Sequence, residues 1–203
     1  MYGSDEVFGT GVDPINLKSA LEECSYDKLT VSPGIGDPNE VATGVIEVDI
    51  GVPLEGNSRG TIRNAVTTAV TNKLGHSLPG PYDYVLYSLQ GCYVDCGWAA
   101  YAYINSWNSV YQGVYYKRPG VLVHELGHNF NLAHSGGLDG ATYTDHTCSM
   151  GNPRKSLKGI DRFIASLKHS QCFSLQTIVM TASSVSTLPR TFSSTGMTMP
   201  RLL

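Results

Sequence analysis

The sequence lacks several features that would point to other classes of protein. It has no apolar run approaching the roughly 20 residues of a membrane-spanning helix, so we expect no membrane span. None of its five cysteines shows the Cys-x-x-Cys spacing of a structural zinc site. Charged residues make up only 15% of the 203 residues, and hydrophobic residues make up 41%. This length and composition are typical of a globular protein with a substantial core.

Charge is distributed unevenly along the chain. Residues 1–150 hold 7 Lys or Arg and 16 Asp or Glu, a net charge of −9. Residues 151–203 hold 7 Lys or Arg and 1 Asp or Glu, a net charge of +6. Residues 174–203 include 12 Ser or Thr. An acidic body does not favour nucleic acid as a partner. We therefore expect a main domain over residues 1–152 and a basic, then Ser/Thr-rich tail over residues 153–203, with weak order after about residue 174.

The most informative stretch runs from Val121 to His134 and contains a His-Glu-x-x-His motif. His124 and His128 are four residues apart, so on a helix they share one face, with Cβ atoms about 5–6 Å apart. Two imidazoles at that separation can bind one metal ion. Glu125 is rotated from them around the helix, so it can lie beside the metal and accept a proton from a zinc-activated water.

His134 can be a third ligand only if the helix stops and the chain turns back. Asn131 is placed for that stop, because Asn tolerates the left-handed conformation found at helix ends better than most residues other than Gly. The alternative is an ordinary buried amphipathic helix, since Leu122, Leu126 and Phe130 form an apolar stripe. The stripe fits both interpretations, and the specificity of the histidine motif favours the metal site.

Hydrophobic periodicity predicts an α/β arrangement of helices packed on a sheet. Asp13-Pro14 is suited to start a helix, and Gly75 to end one. The predicted strands are Leu29–Val31, Val45–Val52 and Tyr82–Leu89, and the predicted second helix is Thr61–Leu74.

Trp98–Asn105 is predicted to be a strand in which Ala alternates with aromatic residues. Two interpretations remain open for it. It is either a core strand packed under a helix or an edge strand that pairs with an extended substrate peptide.

The histidine motif resembles that of the metzincin clan of zinc proteases, His-Glu-x-x-His-x-x-Gly-x-x-His. The chain departs from it at Asn131, where most of the clan has Gly. The clan also has a methionine in a tight turn beneath the metal, and Tyr143–Gly151, with Met150, is similar to that turn. The resemblance implies a zincin-like α+β fold: a twisted mixed sheet with packed helices, a zinc helix and a methionine turn.

More narrowly, Trp98–Trp107 and the zinc motif up to Gly136 resemble the gametolysin family, secreted zinc endopeptidases first associated with green-algal cell-wall lysis. Phe8–Gly11, Asp13–Leu17 and Cys24-Ser25 are similar to the start of that catalytic domain. The resemblance covers about residues 7–152 and implies a signal and pro-segment that this chain does not show. Cys172-Phe173 is the last match, so the C-terminal subdomain is expected to be atypical or incomplete.

The sequence therefore predicts a zinc endopeptidase that cleaves extracellular or cell-wall proteins outside the cell. Zn²⁺ is bound by His124, His128 and His134, and Glu125 is the general base. An extended polypeptide is the expected substrate, and the protein is expected to be a monomer. One alternative is a catalytically inactive, zinc-bound extracellular binding domain. Another is a structural cell-surface protein without stoichiometric metal.

Several residues near the motif have no single assignment from sequence. Four tyrosines are candidates for stabilising the oxyanion of the reaction: Tyr111, Tyr115, Tyr116 and Tyr143. His146, near the methionine turn, is expected to be an exposed loop residue. Disulfides are expected in a secreted protein, and the odd number of cysteines would leave one thiol free. The five are Cys24, Cys92, Cys96, Cys148 and Cys172.

Overall fold

The computed structural model describes residues 5–8, 15–90, 97–138, 140–145, 148–151 and 201–202. Four α-helices lie in this part of the chain: α1 (Asp5–Phe8), α2 (Leu17–Ser25), α3 (Arg59–Leu74) and α4 (Pro119–Asn129). The strands are β1 (Ser32–Pro33), β2 (Val85–Leu89), β3 (Ala100–Ala102), β4 (Asn108–Gln112) and β5 (Arg201–Leu202), and a 3₁₀ helix spans Gly113–Lys117. None of the helices described is both long and apolar enough to cross a membrane.

The main sheet has three strands in the order β2-β4-β3. β2 runs parallel to β4, whereas β3 runs antiparallel to it, with Tyr101 opposite Val110. A separate parallel pair joins β1 to β5. The mixed sheet and its packed helices confirm the predicted zincin-like α+β fold class. The predicted weak order of the tail concerns residues that lie outside the described part of the chain, apart from the two residues of β5.

The core lies on both faces of the main sheet. On one face, Tyr111 of β4 packs with Leu122 and Leu126 of α4 and with residues of α2. On the other face, Val110 of β4 packs with Ile62 and Val66 of α3 and with residues of β2. Because neighbouring residues of a strand point to opposite faces, β4 belongs to both clusters. It thus fixes the position of α4 against the sheet.

Helix boundaries follow from local capping. Asn16 caps α2 by accepting a hydrogen bond from the backbone N–H of Ser19 at 2.9 Å, while the Ser19 hydroxyl accepts one from the Asn16 N–H. The predicted start at Asp13-Pro14 lies outside the described residues, and the helix itself begins at Leu17. In α3, Ser58 caps the first turn, and Gly75, at φ 77°, ends the helix where the sequence predicts.

The predicted strand Val45–Val52 is wrong. At its start, the N–H of Val41 donates to the carbonyl of Val45, and the N–H of Val45 donates to the carbonyl of Ala42, which closes a tight turn. Further along, Gly51 at φ 65° interrupts the extended backbone. Its alternation is real, because Val48, Ile50, Val52 and Leu54 pack on the α3 side of the core. The segment lies alongside β2 without pairing to it, and the two border a cavity of about 770 Å³.

The central strand β4 was not predicted, because its sequence, Asn-Ser-Val-Tyr-Gln, is too polar to resemble a core strand. All five residues are buried. Two side-chain amides of this strand donate to neighbouring backbone: Asn108 Nδ2 donates to the carbonyl of Val85 at 3.2 Å, and Gln112 Nε2 donates to that of Trp98 at 3.1 Å. These hydrogen bonds join β4 to β2 on one side and to the residues just before β3 on the other.

Candidate metal centre

The candidate site is built on α4, which begins with Pro119 in its first turn and lies buried along its length. His124 and His128 are 4% and 5% exposed, with ring centroids 4.8 Å apart. This is the shared face that the four-residue spacing predicts. The helix thus holds two imidazoles side by side inside the protein.

α4 ends in a Schellman turn whose left-handed residue is Asn131, at φ 73°. Its backbone N–H donates to the carbonyl of His128 at 2.9 Å, and that of Leu132 donates to the carbonyl of Gly127 at 3.0 Å. The predicted role of Asn131 in ending the helix is confirmed. The turn reverses the chain and returns His134 to the helix face.

Three histidine side chains converge at this point. The ligand nitrogens of His124, His128 and His134 all lie within 4.8 Å of one another, and Nε2 of His128 is 3.0 Å from Nε2 of His134. Nitrogens bound to one tetrahedral zinc at 2.0–2.1 Å would lie about 3.3 Å apart. The three nitrogen donors therefore suit a small divalent cation that prefers nitrogen ligands, and the separation of the His128 and His134 nitrogens is close to that value.

Backbone carbonyls orient two of the rings. Nδ1 of His124 lies 2.7 Å from the carbonyl oxygen of Ser149, and Nδ1 of His128 lies 2.8 Å from that of Leu132. Because a carbonyl only accepts hydrogen bonds, each Nδ1 must carry the proton. The lone pair is then on Nε2, the nitrogen that faces the centre of the cluster. Such outer hydrogen bonds are usual for histidine ligands of metals.

All three histidines are held in the neutral form. Burial lowers the pKa of His124 to about 4, and it also lowers the pKa of His128. The pKa of His134 is lowered by its partial burial and by the neighbouring His128. Neutral imidazole is the form that binds a metal.

Glu125 lies beside the cluster but is not one of the three converging groups. It is 6% exposed, and its carboxylate accepts a hydrogen bond from the backbone N–H of Ala102 in β3. Burial raises its pKa to about 8 despite that bond. A carboxyl group in this setting is a stronger base than one in water.

Met150 packs against α4 directly behind the histidines, as the predicted methionine turn requires. It is 2% exposed, and its carbonyl accepts a hydrogen bond from the N–H of Ser135 at 2.9 Å. A Cβ atom on Gly127 would overlap the Met150 sulfur. Sequence analysis missed Gly127, although a glycine inside a helical pattern often marks such a close approach.

Replacing Gly127 with Ala should lower the free energy of unfolding by about 1–3 kcal/mol, because the added methyl forces Met150 out of its contact. Unfolding of the zinc-free protein in denaturant measures this. The control is Gly60→Ala in α3, where the new Cβ meets only Ser58 Oγ at 3.8 Å. That variant should gain up to about 1 kcal/mol from helix propensity. If the two variants behave alike, Met150 does not pack where the structure places it.

Polar side chains form hydrogen bonds within the loop between His134 and Met150. Ser135 Oγ donates to Asp145 Oδ2 at 2.7 Å, and the Thr144 hydroxyl accepts from the N–H of Gly137 at 2.7 Å. Because Ser135 also pairs with the backbone of Met150, this loop joins the third histidine to the methionine turn. His146 lies outside the described residues.

Of the four candidate tyrosines, Tyr143 borders the histidine cluster. Its ring centroid is 4.1 Å from that of His134 and 6.3 Å from that of His124, and the residue is 42% exposed. Tyr111 and Tyr116 are buried in the core, and Tyr115 stacks against Arg118. Partial burial and the nearby Glu125 raise the pKa of Tyr143. Its hydroxyl therefore keeps its proton at neutral pH.

Comparison with known families agrees with this geometry. A family model described as gametolysin peptidase M11 matches residues 5–160, a range that includes α4, the turn at Asn131, His134 and Met150. No curated protein and no solved structure matches the chain significantly. The family model covers most of the chain and confirms the resemblance seen in the sequence. The chain therefore belongs to the gametolysin M11 family of metallopeptidases.

Proposed function

We propose that this protein is a zinc-dependent endopeptidase that hydrolyses peptide bonds of extracellular or cell-wall proteins. In this proposal His124, His128 and His134 bind Zn²⁺, and Glu125 is the general base. The observation that supports it best is the convergence of three neutral imidazoles beside a buried carboxyl group, within a metallopeptidase family. When bound, zinc supplies the Lewis acidity that acidifies water and polarises a peptide carbonyl.

Glu125 performs the proton transfers in this proposal. The hydrogen bond from Ala102 fixes the carboxylate next to the histidines, and burial strengthens it as a base. Glu125 accepts a proton from the attacking water and then passes it to the leaving amine. Protein atoms surround it, with 6% of its surface exposed, so the proton is not readily lost to solvent.

β3 is suited to hold an extended substrate. In the described part of the chain it is an edge strand of the main sheet, pairing with β4 on one side. The N–H of Gln112 donates to the carbonyl of Ala99 at 3.0 Å, and backbone groups alternate in direction along a strand. Those of Ala100 and Ala102 therefore point to the other side, where the N–H of Ala102 donates to Glu125 and the Ala100 groups and the Ala102 carbonyl are left for a peptide. A peptide that pairs there lies next to Glu125, which favours the substrate-pairing interpretation of this strand.

Tyr143 is the best placed of the four tyrosines to stabilise the oxyanion, because its ring lies against His134 and it is close enough to Glu125 for that carboxylate to raise its pKa. We expect Tyr143→Phe to lower kcat by about tenfold while zinc binding stays near that of the wild type. Single-turnover cleavage of a peptide, alongside zinc titration, measures both quantities. Tyr115→Phe is the control, since that ring stacks on Arg118 away from the cluster. Equal kcat values for the two variants would exclude Tyr143 from this role.

An extracellular location is part of the proposal. Cys148, which is 4% exposed, is in a disulfide bond. Disulfides persist in oxidising compartments and are rare in the cytosol. The bond therefore supports the extracellular assignment that the family resemblance implies.

The proposal is tested by metal analysis of the purified protein together with cleavage of a denatured protein substrate. We expect about one zinc per chain, cleavage that a chelator abolishes, and recovery when zinc is restored. Stoichiometric zinc without any cleavage would favour the alternative of an inactive binding domain. Absence of stoichiometric metal would contradict both interpretations.

A further inference from the structure

Three aromatic rings lie along β3 and its flanks, on the face of the sheet that carries α3. Trp98 and Tyr101 have ring centroids 5.3 Å apart, and Tyr101 and Tyr103 have centroids 6.0 Å apart. Trp98 and Tyr101 belong to the α3 side of the core, whereas Ala100 packs on the α4 side. Tyr103 is 48% exposed, so this row of rings runs from the core to the surface.

Two arginines from the first turns of α3 lie over these rings. The guanidinium carbon of Arg59 is 4.8 Å from the ring centroid of Trp98, and that of Arg63 is 4.8 Å from the ring centroid of Tyr103. The Tyr101 hydroxyl donates to the carbonyl of Arg59 at 3.3 Å, which ties the row to the helix. We call Arg63, Tyr101 and Tyr103 the arginine shelf.

The arginine shelf adjoins the proposed catalytic site. Ala102, whose N–H donates to the Glu125 carboxylate, lies between Tyr101 and Tyr103 in the sequence. A peptide paired with β3 advances about 3.3 Å per residue and alternates its side chains between the two faces of the sheet. Side chains on the zinc face meet the histidines. In such a pairing, those on the opposite face would lie on the side of the arginine shelf, within one or two residues of the bond cut.

The charge of Arg63 is not neutralised by a neighbouring acid in the described part of the chain. Arg63 Nη2 donates to the neutral side-chain amide of Asn64 at 3.2 Å. No carboxylate among the described residues forms a salt bridge with it. Burial raises the pKa of Tyr101 to about 12, and the charge of the nearby Arg63 acts against that rise. A half-buried guanidinium stacked on a ring is well placed to pair with a carboxylate.

We propose that the arginine shelf is a subsite that selects an acidic side chain of the substrate, next to the scissile bond and on the face opposite the zinc. This specificity rests on the proposed endopeptidase function. A neutral aromatic or polar side chain would contact the rings without pairing with the charge of Arg63. Substrates with acidic and with neutral side chains at this position can therefore be distinguished by experiment.

The test uses internally quenched peptides and the zinc-loaded protein. A peptide that the wild type cleaves is varied at each position around the cut, with Glu, Gln or Lys. We expect kcat/KM to be about three- to fivefold higher for Glu than for Gln at one such position, and lower for Lys. The Glu-to-Gln ratio should fall towards one in Arg63→Gln, and Arg63→Glu should favour Lys. Added salt should reduce the preference in the wild type.

The matched control is Arg118→Gln, because Arg118 also lies 4.8 Å from a tyrosine ring, that of Tyr115, at another site. This variant should keep the Glu-to-Gln ratio of the wild type. If no position shows a preference that depends on Arg63, the subsite is wrong. If no peptide is cleaved although zinc is bound, the endopeptidase proposal fails instead. The subsite is then tested by fluorescence anisotropy: equal affinity of wild type and Arg63→Gln for Glu peptides would overturn it, and tighter binding by the wild type would support it.

Discussion

Replacing Glu125 with Gln should lower kcat/KM by a factor of about 10²–10⁴ while zinc remains near one ion per chain. Gln has the size of Glu and can still accept the hydrogen bond from Ala102, so α4 and the histidine cluster should be unaffected. It cannot accept a proton from water, so the step assigned to Glu125 is lost. Peptide cleavage gives kcat/KM, and metal analysis of the same preparation gives the zinc content per chain.

The control for this variant is Glu55→Gln, which removes an exposed carboxylate far along the chain from α4. It should retain both zinc and turnover. If Glu125→Gln cleaves peptide at a rate near that of the wild type, Glu125 is not the general base. If the variant loses zinc, the carboxylate is part of the metal site, and its separation from the three histidines in this structure is wrong.

Replacing Asn131 with Val should weaken zinc binding by roughly thirtyfold, although residue 131 is not among the converging groups. Asn131 has φ 73°, and a β-branched residue in this conformation costs about 2 kcal/mol. Without zinc the turn can relax and release His134. Binding must then restore the strained turn, so its cost is subtracted from the binding free energy. Competition with a chelating dye measures the affinity.

Asn131→Gly is the matched control, because glycine reaches the left-handed conformation without a Cβ clash. It should bind zinc nearly as tightly as the wild type, which would separate the backbone effect from loss of the Asn side chain. Wild-type affinity in Asn131→Val would contradict the account. In that case either the turn is not needed for metal binding or His134 is not the third ligand.

The centre of the site was predictable because its spacing is local. His124, Glu125 and His128 lie on one helix, so their relative positions follow from helix geometry alone. Asn131 predicts the helix end because Asn adopts the left-handed conformation of helix C-termini more readily than most residues. The turn at Asn131 made His134 a candidate third ligand, and the resemblance to the metzincin clan then added Met150. Local rules and family resemblance thus supplied the residues but not the contacts that orient them.

The contacts that orient the site join residues far apart in the sequence. The carbonyl of Ser149 sets the ring of His124, and the N–H of Ala102 fixes Glu125. Both depend on how β3 and the methionine turn pack on α4, which periodicity does not specify. The selection of Tyr143 from four tyrosines has the same origin.

The strands were predicted less well than the helices, for two physical reasons. β4 is central yet polar, because the side-chain amides of Asn108 and Gln112 donate to backbone carbonyls that only the folded chain brings near. Val45–Val52 has the alternation of a strand, but its backbone follows local turns and does not pair with β2. Side-chain pattern reports which face is buried, whereas strand pairing depends on partners elsewhere in the chain.

X-ray absorption spectroscopy of the zinc-loaded protein identifies the ligands of the metal. We expect three imidazole nitrogens and one further oxygen or nitrogen at about 2.0–2.1 Å from zinc. One imidazole should be lost from that set in His134→Ala, and none in His76→Ala, a partly buried histidine outside the cluster. Sulfur ligands, or an imidazole count that His134→Ala leaves unchanged, would exclude a zinc site formed by His124, His128 and His134.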